Sequence, residues 1–229
     1  MPTAIARYLN DIGIALREVR VVADLDAEII AAVNVLRARY DYVFTTGGIG
    51  PTHDDVTTEA IAAAFGVRAP IDPRAVEVMR QHYRGRALNE ARLRMARIPE
   101  GAELIDNPIS SAPGFMLDNV IVMAGIPNIM QVMLDAVAPR LKKGRPMQAR
   151  SVRVAAPEGD VAPGLFEIQA ANPKVQIGSY PFFENGELGT YVVLRSVDAA
   201  LLAAALHALW TLIAREGFAA RGDAAEAAT

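Results

Sequence analysis

The sequence predicts an α/β protein: a three-layer α/β/α domain with a mostly parallel sheet, followed by a smaller α+β domain. Three observations carry this. Short apolar runs alternate with amphipathic helical stretches as far as Leu141, which implies a parallel sheet covered on both faces. A basic, proline-containing stretch, KKGRPMQAR, then interrupts the pattern. Beyond it the order becomes strand, helix, strand, strand, helix. The expected division is residues 1–143 for the first domain, 150–218 for the second, and 219–229 for a disordered tail.

Each element has a local cause. Ile5, Leu9, Ile12 and Leu16 make a helical stripe, Gly13 suits a C-terminal cap, and REVRVV follows as a strand. Asp26 is placed to cap a helix whose inner face is Ile29, Val33 and Leu36, and DYVFTT is a buried strand. Asp72-Pro73 reads as an N-cap with proline at the first helical position, opening a helix through Tyr83. NEARLRMARIP is a second helical piece. AELI, GFMLD and NVIVMA supply three short strands, and NIMQVMLDAVAPRL closes the domain as a helix. In the second domain SVRVAA, KVQIGSY and GTYVVLRSV are strands, with helices at 162–170 and from Ala199 onward. The terminal AARGDAAEAAT has no apolar stripe to bury and is expected to fray.

Composition excludes several classes. The chain of 229 residues is 52% hydrophobic and 21% charged, as a globular protein is. A net charge of -3 argues against a nucleic-acid footprint. There is no cysteine, so disulfides, thiolate metal sites and a cysteine nucleophile are absent, and a cytoplasmic location fits. Arg7 and Asn10 break the apolar core that a secretory signal needs. The longest apolar run, Ala199 to Ala214, carries Leu202, Leu206, Leu209 and Ile213 at helical spacing and reads as a core helix, so no membrane association is expected.

Chemistry concentrates in VFTTGGIGPTHDDVTTEA. In an open parallel sheet, ligands sit outside the carboxyl ends of strands, where helix N-termini attract anions. Gly47, Gly48 and Gly50 permit close backbone approach to a phosphate, and Thr45, Thr46 and Thr52 add hydroxyls. A helix-starting turn with tightly packed glycines is the competing reading. The loop is neither a P-loop nor a dinucleotide fingerprint. Asp54 and Asp55 would repel an anion unless a divalent cation joined them, and oxygen ligands suit magnesium or manganese. Alternatively Asp54 caps the following helix and Asp55 favours its positive end. His53 is the kind of lone loop histidine that is usually solvated.

These residues resemble a known signature. TTGGIGPTHDDVTTEA is similar to the motif of the molybdopterin-binding, or molybdenum-cofactor biosynthesis, domain. NPISSAPGF, AGIPNIM and the later IGSYP resemble segments of its two-domain branch, the competence-damage-inducible A proteins and the amino-terminal region of FAD synthase. The resemblance implies an α/β/α domain that takes a phosphorylated pterin or nucleotide. In the two-domain branch it implies divalent-cation-dependent hydrolysis of pyrophosphates such as ADP-ribose or FAD, with magnesium, manganese or cobalt. It carries over to Gly47, Gly48, Gly50, Asp55 and Thr57, with Asp54 shared by the branch and Asp24 as a second acid of the pocket. Asn107, Ser110, Ser111, Pro113 and Gly114 would form the opposite wall; a plain inter-strand loop is the competing reading. Ser110-Ser111 stands where the branch has Gly-Thr, and Ala124 where it has proline. The family also opens with a strand and a G-D-E-I-L-x-G loop ahead of the point where Met1 falls, and that strand is expected to be encoded in frame upstream.

The leading expectation is thus a metal-dependent nucleotide pyrophosphatase, with Asp55 and Asp24 as base or cation ligands and Asp54 and Asp55 at the cation. Molybdopterin binding or adenylyl transfer is the alternative, and an inactive truncated homologue the third. A homo-oligomer is expected.

Overall fold

A computed structural model of the chain describes residues 2–83 and 87–223. They divide into two compact units. One comprises Glu18–Lys142; the other comprises Lys143 onward together with Pro2–Arg17.

The first unit contains α2 (Asp26–Arg39), β1 (Val43–Thr46), α3 (Thr57–Phe65), α4 (Pro73–Tyr83), α5 (Glu90–Arg94), β2 (Glu103–Ile105), β3 (Gly114–Leu117), β4 (Val120–Met123) and α6 (Pro127–Val137); α1 (Pro2–Asp11) precedes them in the chain. The strands form one sheet in the order β1-β4-β3-β2. β1 pairs with β4 in parallel, whereas β4–β3 and β3–β2 are antiparallel, so the sheet is mixed. The short Asp118-Asn119 turn, with Asp118 at φ 53°, reverses the chain and makes the antiparallel pair.

Strand parity assigns the two faces. Val120 and Val122 of β4 and Phe115 and Leu117 of β3 share a core with Ile29 and Val33 of α2, Ile61 of α3 and Met79 of α4. Ile121 and Met123 have the opposite parity and are also fully buried, and α6 packs on β4 and β2 through a buried stripe of Ile129, Met130, Met133 and Val137. Helices therefore cover both faces of the sheet, as the alternating pattern requires.

Two local expectations are corrected. Asp26 lies inside the first turn of α2 and Leu25 takes the cap position without a side-chain bond, whereas Asp72 does cap its helix by accepting from the Arg74 N–H at 2.8 Å. REVRVV is not a strand: residues 14–23 have no regular structure. A strand needs a ladder as well as an apolar pattern, and β1 bonds to β4 on one side while no other described strand pairs with it. Val19 and Val21 are left 53% and 92% exposed. Side chains hold this segment instead, with Glu18 accepting from Tyr40 Oη and Arg20 Nε at 2.7 Å each. Amides of residues 18–24 are expected to exchange hydrogen at nearly unstructured rates while those of β4 stay protected. Protection of 18–24 comparable with β4 in an exchange experiment would restore the strand.

The second unit runs β5 (Gln148–Val154), α7 (Glu158–Ala171), β6 (Gln176–Glu184), β7 (Glu187–Ser196), α8 (Ala199–Glu216) and β8 (Ala220–Gly222). Its antiparallel sheet has the order β6-β7-β5-β8, the β-α-β-β-α-β arrangement of ferredoxin-like folds. α8 starts where Asp198 accepts from the Ala200 and Leu201 N–H groups and ends at Gly217. It is long and apolar enough to cross a membrane by length and composition, but Leu202, Leu206, Leu209 and Ile213 belong to the core of this unit, which accounts for that apolarity. The expected tail starts with structure: Ala220–Gly222 pairs with β5, and Asp223 accepts from the Ser151 N–H at 2.8 Å. Edge pairing uses backbone groups and needs no apolar stripe. Residues 224–229 lie outside the described residues.

Candidate functional site

Strand directions bring three loops to one end of the first sheet. β1 and β4 are parallel, so the chain leaves both at that end, at Gly47 and Ala124. β3 starts there at Gly114, opposite Ile105 where β2 stops. The glycine loop, the Asp106–Pro113 loop and the Ala124–Ile126 turn therefore share one rim. Neighbouring strands lie about 4.8 Å apart, so with β4 between β1 and β3 the outer two loops stand on the order of 10 Å apart. That is the crevice outside the carboxyl ends of parallel strands where α/β sheets take ligands.

The glycine loop is built from the strand outward. Gly47 extends the ladder by donating its N–H to the Met123 carbonyl at 2.9 Å. Gly47 and Gly48 have φ of 98° and 67°, values that side chains rarely tolerate. The Gly48 carbonyl accepts from the Thr57 N–H at 2.9 Å, which ties the loop to the first turn of α3. Thr45 Oγ1, near the end of β1 before the glycines, is buried with no hydrogen-bond partner among the described residues.

The acids do not cap α3. Its cap position is Val56, with no side-chain bond. Asp55 reaches backwards: its Oδ2 accepts from the Thr52 N–H at 2.9 Å and the Thr52 hydroxyl at 2.6 Å. Partial burial pushes the Asp55 carboxyl up, and hydrogen bonds from the Thr52 hydroxyl and from the Thr52 and Gly50 N–H groups outweigh it, so its pKa is lowered. The pKa of Asp54 is lowered as well, by the Thr52 hydroxyl and its own N–H. One hydroxyl proton serves one carboxylate at a time, and the 2.6 Å contact gives it to Asp55. With ordinary aspartate near 3.9, both acids are ionised at neutral pH. His53 Nδ1 lies 4.0 Å from Asp54 Oδ1 and both side chains are largely exposed.

The second loop is organised by Asn107. Its Nδ2 donates to Ser110 Oγ at 2.6 Å and to the Ala112 carbonyl at 2.9 Å, and its Oδ1 accepts from the Ile109 and Ser110 N–H groups. Buried and fully engaged, Asn107 shapes the loop. Ser111 is held at φ 58°, an uncommon conformation for a side-chain-bearing residue, with its N–H on the Asn107 carbonyl. Gly114 is a packing position, since a Cβ there would meet the Val122 carbonyl, and Pro113 is buried beside it.

Thr45, Thr46, Gly47, Gly48, Gly50, Thr52, Thr57, Asp54 and Asp55 thus fall on one loop and its flanks. Asn107, Ser110, Ser111, Pro113 and Gly114 fall on the neighbouring loop. Asp24 lies just ahead of α2, exposed, and no hydrogen bond or ion pair joins it to either loop. Thr52 spends its hydroxyl on Asp55. Gly125, between the two loops and 3.9 Å from where a Gly47 Cβ would stand, was not singled out by sequence; its signal is the glycine directly after an apolar strand in VIVMAGIP.

Comparison with known proteins gives the arrangement its kinship. Residues 3–143 match the family described as "Probable molybdopterin binding domain", and residues 146–221 match "FAD synthase, middle domain". A protein of Pyrobaculum calidifontis is 35% identical over 188 residues, 77% of this chain and 72% of its own. A CinA-like protein of Desulfosudis oleivorans is 41% identical over 145 residues, covering 60% of this chain and 35% of its own. The crystal structure of CinA, of unknown function, from Thermoplasma acidophilum superposes with a TM-score of 0.58 at 34% identity, over 61% of this chain and 85% of that one. The chain therefore belongs to the molybdopterin-binding domain family, in the two-domain form that CinA represents.

Proposed function

We propose that the crevice binds the phosphate groups of a nucleotide or pterin and that the chain hydrolyses a nucleotide pyrophosphate of the ADP-ribose or FAD kind. The observation that carries the reading is the convergence of a glycine loop, two ionised carboxylates and a second rim loop at the carboxyl end of parallel strands, in a chain whose second unit matches an FAD synthase domain.

Loop N–H groups and the first turn of α3 would hold phosphate oxygens, and Ser111, fixed in the left-handed region, would present its hydroxyl from the opposite side. Residues available to a divalent cation are Asp54 and the Asp55 oxygen that Thr52 leaves free. No group of three acids or histidines gathers among the described residues; one or two carboxylates completed by ligand phosphates fit magnesium. When bound, such a cation supplies charge neutralisation at a phosphoryl oxygen and acidifies a coordinated water. Asp55 or Asp24 would take the proton of the attacking water. A cytoplasmic homo-oligomer is part of the same proposal.

The molybdopterin family match favours a second reading, pterin binding or adenylyl transfer at the same crevice. Turnover of ADP-ribose and FAD, measured beside molybdopterin binding, tests the choice. Cleavage of the pyrophosphate bond is the expected result. Stoichiometric pterin binding without cleavage would overturn hydrolysis in favour of the second reading, and neither would leave a non-catalytic protein.

A further inference from the structure

Of the three loop glycines, two face side chains of the Asp55–Thr57 segment that leads into α3. A Cβ on Gly48 would fall onto Thr57 Oγ1 and Cβ. One on Gly50 would lie 2.5 Å from Asp55 Oδ2 and 3.0 Å from its Cγ and Oδ1. Gly50 is not at positive φ, and the three atoms nearest to a Cβ placed there all belong to the Asp55 carboxylate. Gly47 differs: beyond its chain neighbours the nearest atom to its added Cβ is Gly125 Cα, at 3.9 Å.

We propose that Asp55 and Thr57 are positioning residues which, fitted against Gly50 and Gly48, lock the glycine loop in the shape that leaves Gly47 and Gly125 open towards the ligand. Asp55 contributes one oxygen to this lock through Thr52, whose N–H and hydroxyl it holds, and fills the space above Gly50. Thr57 does the same above Gly48 while its N–H holds the Gly48 carbonyl. The two glycines and the Asp-x-Thr that follows are thus one steric unit. Its bearing on ligand binding rests on the phosphate-site reading above; its existence does not.

A double-mutant cycle tests the lock by thermal unfolding, without turnover. Gly50→Ala is expected to lower the melting temperature by roughly 3–10 °C, the range of an overpacked site in a chain of this size. In an Asp55→Ala background the same change is expected to shift it by less than about 2 °C, because the obstructing atoms are gone. Equal shifts in the two backgrounds overturn the lock. Should Gly50→Ala fail to fold, affinity for inorganic pyrophosphate without divalent cation gives the second measurement. Thr52→Val is expected to weaken it about tenfold, and Asp55→Ala to bind about tenfold more weakly than Asp55→Asn, which loses the same repelling charge but still accepts from Thr52. Equal loss in Asp55→Asn and Asp55→Ala overturns the positioning role. Absence of pyrophosphatase turnover in the unmodified chain would sink the hydrolase reading and leave the coupling between positions 50 and 55 as it is.

Discussion

Turnover of a nucleotide pyrophosphate is expected to require a divalent cation and to disappear, by at least about a hundredfold, when excess chelator is added. Asp54 and Asp55 are adjacent, both with lowered pKa, and Asp54 raises that of its neighbour by its charge. Two such charges at the mouth of a phosphate site oppose the ligand, and a cation between acid and phosphate turns the opposition into a bridge. Restoring magnesium, manganese or cobalt should restore the rate. Full turnover in chelator would remove the cation from the mechanism and leave the acids with loop shape alone.

Asp55→Asn is expected to lower kcat by at least about a hundredfold with little change in melting temperature. Asparagine keeps the size of the side chain and an oxygen that accepts from Thr52, so stability should change by no more than about 1 kcal/mol. What it loses is charge, and with it the capacity to take a proton or share a cation. Asp55→Ala should lose KM, kcat and melting temperature together, because the brace goes as well. The pH dependence has a definite sign: a carboxyl whose pKa is lowered by folding stabilises the native state above the ordinary aspartate value near 3.9 and ceases to do so as pH falls through its own lower value. Asp55→Asn should lose this acid-side component. Unchanged kcat in Asp55→Asn would confine the residue to bracing.

The parts of the fold legible in the sequence were those decided locally. Asp72-Pro73 starts α4 because a cap and a pre-set φ suffice, and α6 and α8 follow from apolar spacing. REVRVV failed because the alternation of a strand specifies a face, whereas its existence depends on a distant partner. The mixed sheet was hidden for a related reason: short strands separated by loops do not announce direction until the turn at Asp118 is seen to reverse the chain. At the site, the residue list was readable from glycines, hydroxyls and acids, while their division of labour was not. Thr52 and Asn107 are polar enough to be ligand contacts, and only the hydrogen-bond geometry assigns them to loop construction. Gly125 has no chemistry of its own and acquires a place only through its neighbour across β1 and β4.

β1 carries the glycine loop and, among the described residues, pairs with β4 alone, through four residue positions. Strand and loop therefore open together if that ladder opens, and the edge that no described strand pairs is then joined by a second unpaired one. Occupancy of the loop acts on this by mass action: a ligand that binds only the closed form at about a hundred times its Kd stabilises it by about 2.7 kcal/mol. The phosphate ligand would thus serve as a conditional support of the sheet, making the lifetime of the folded first unit a function of how much ligand its surroundings hold.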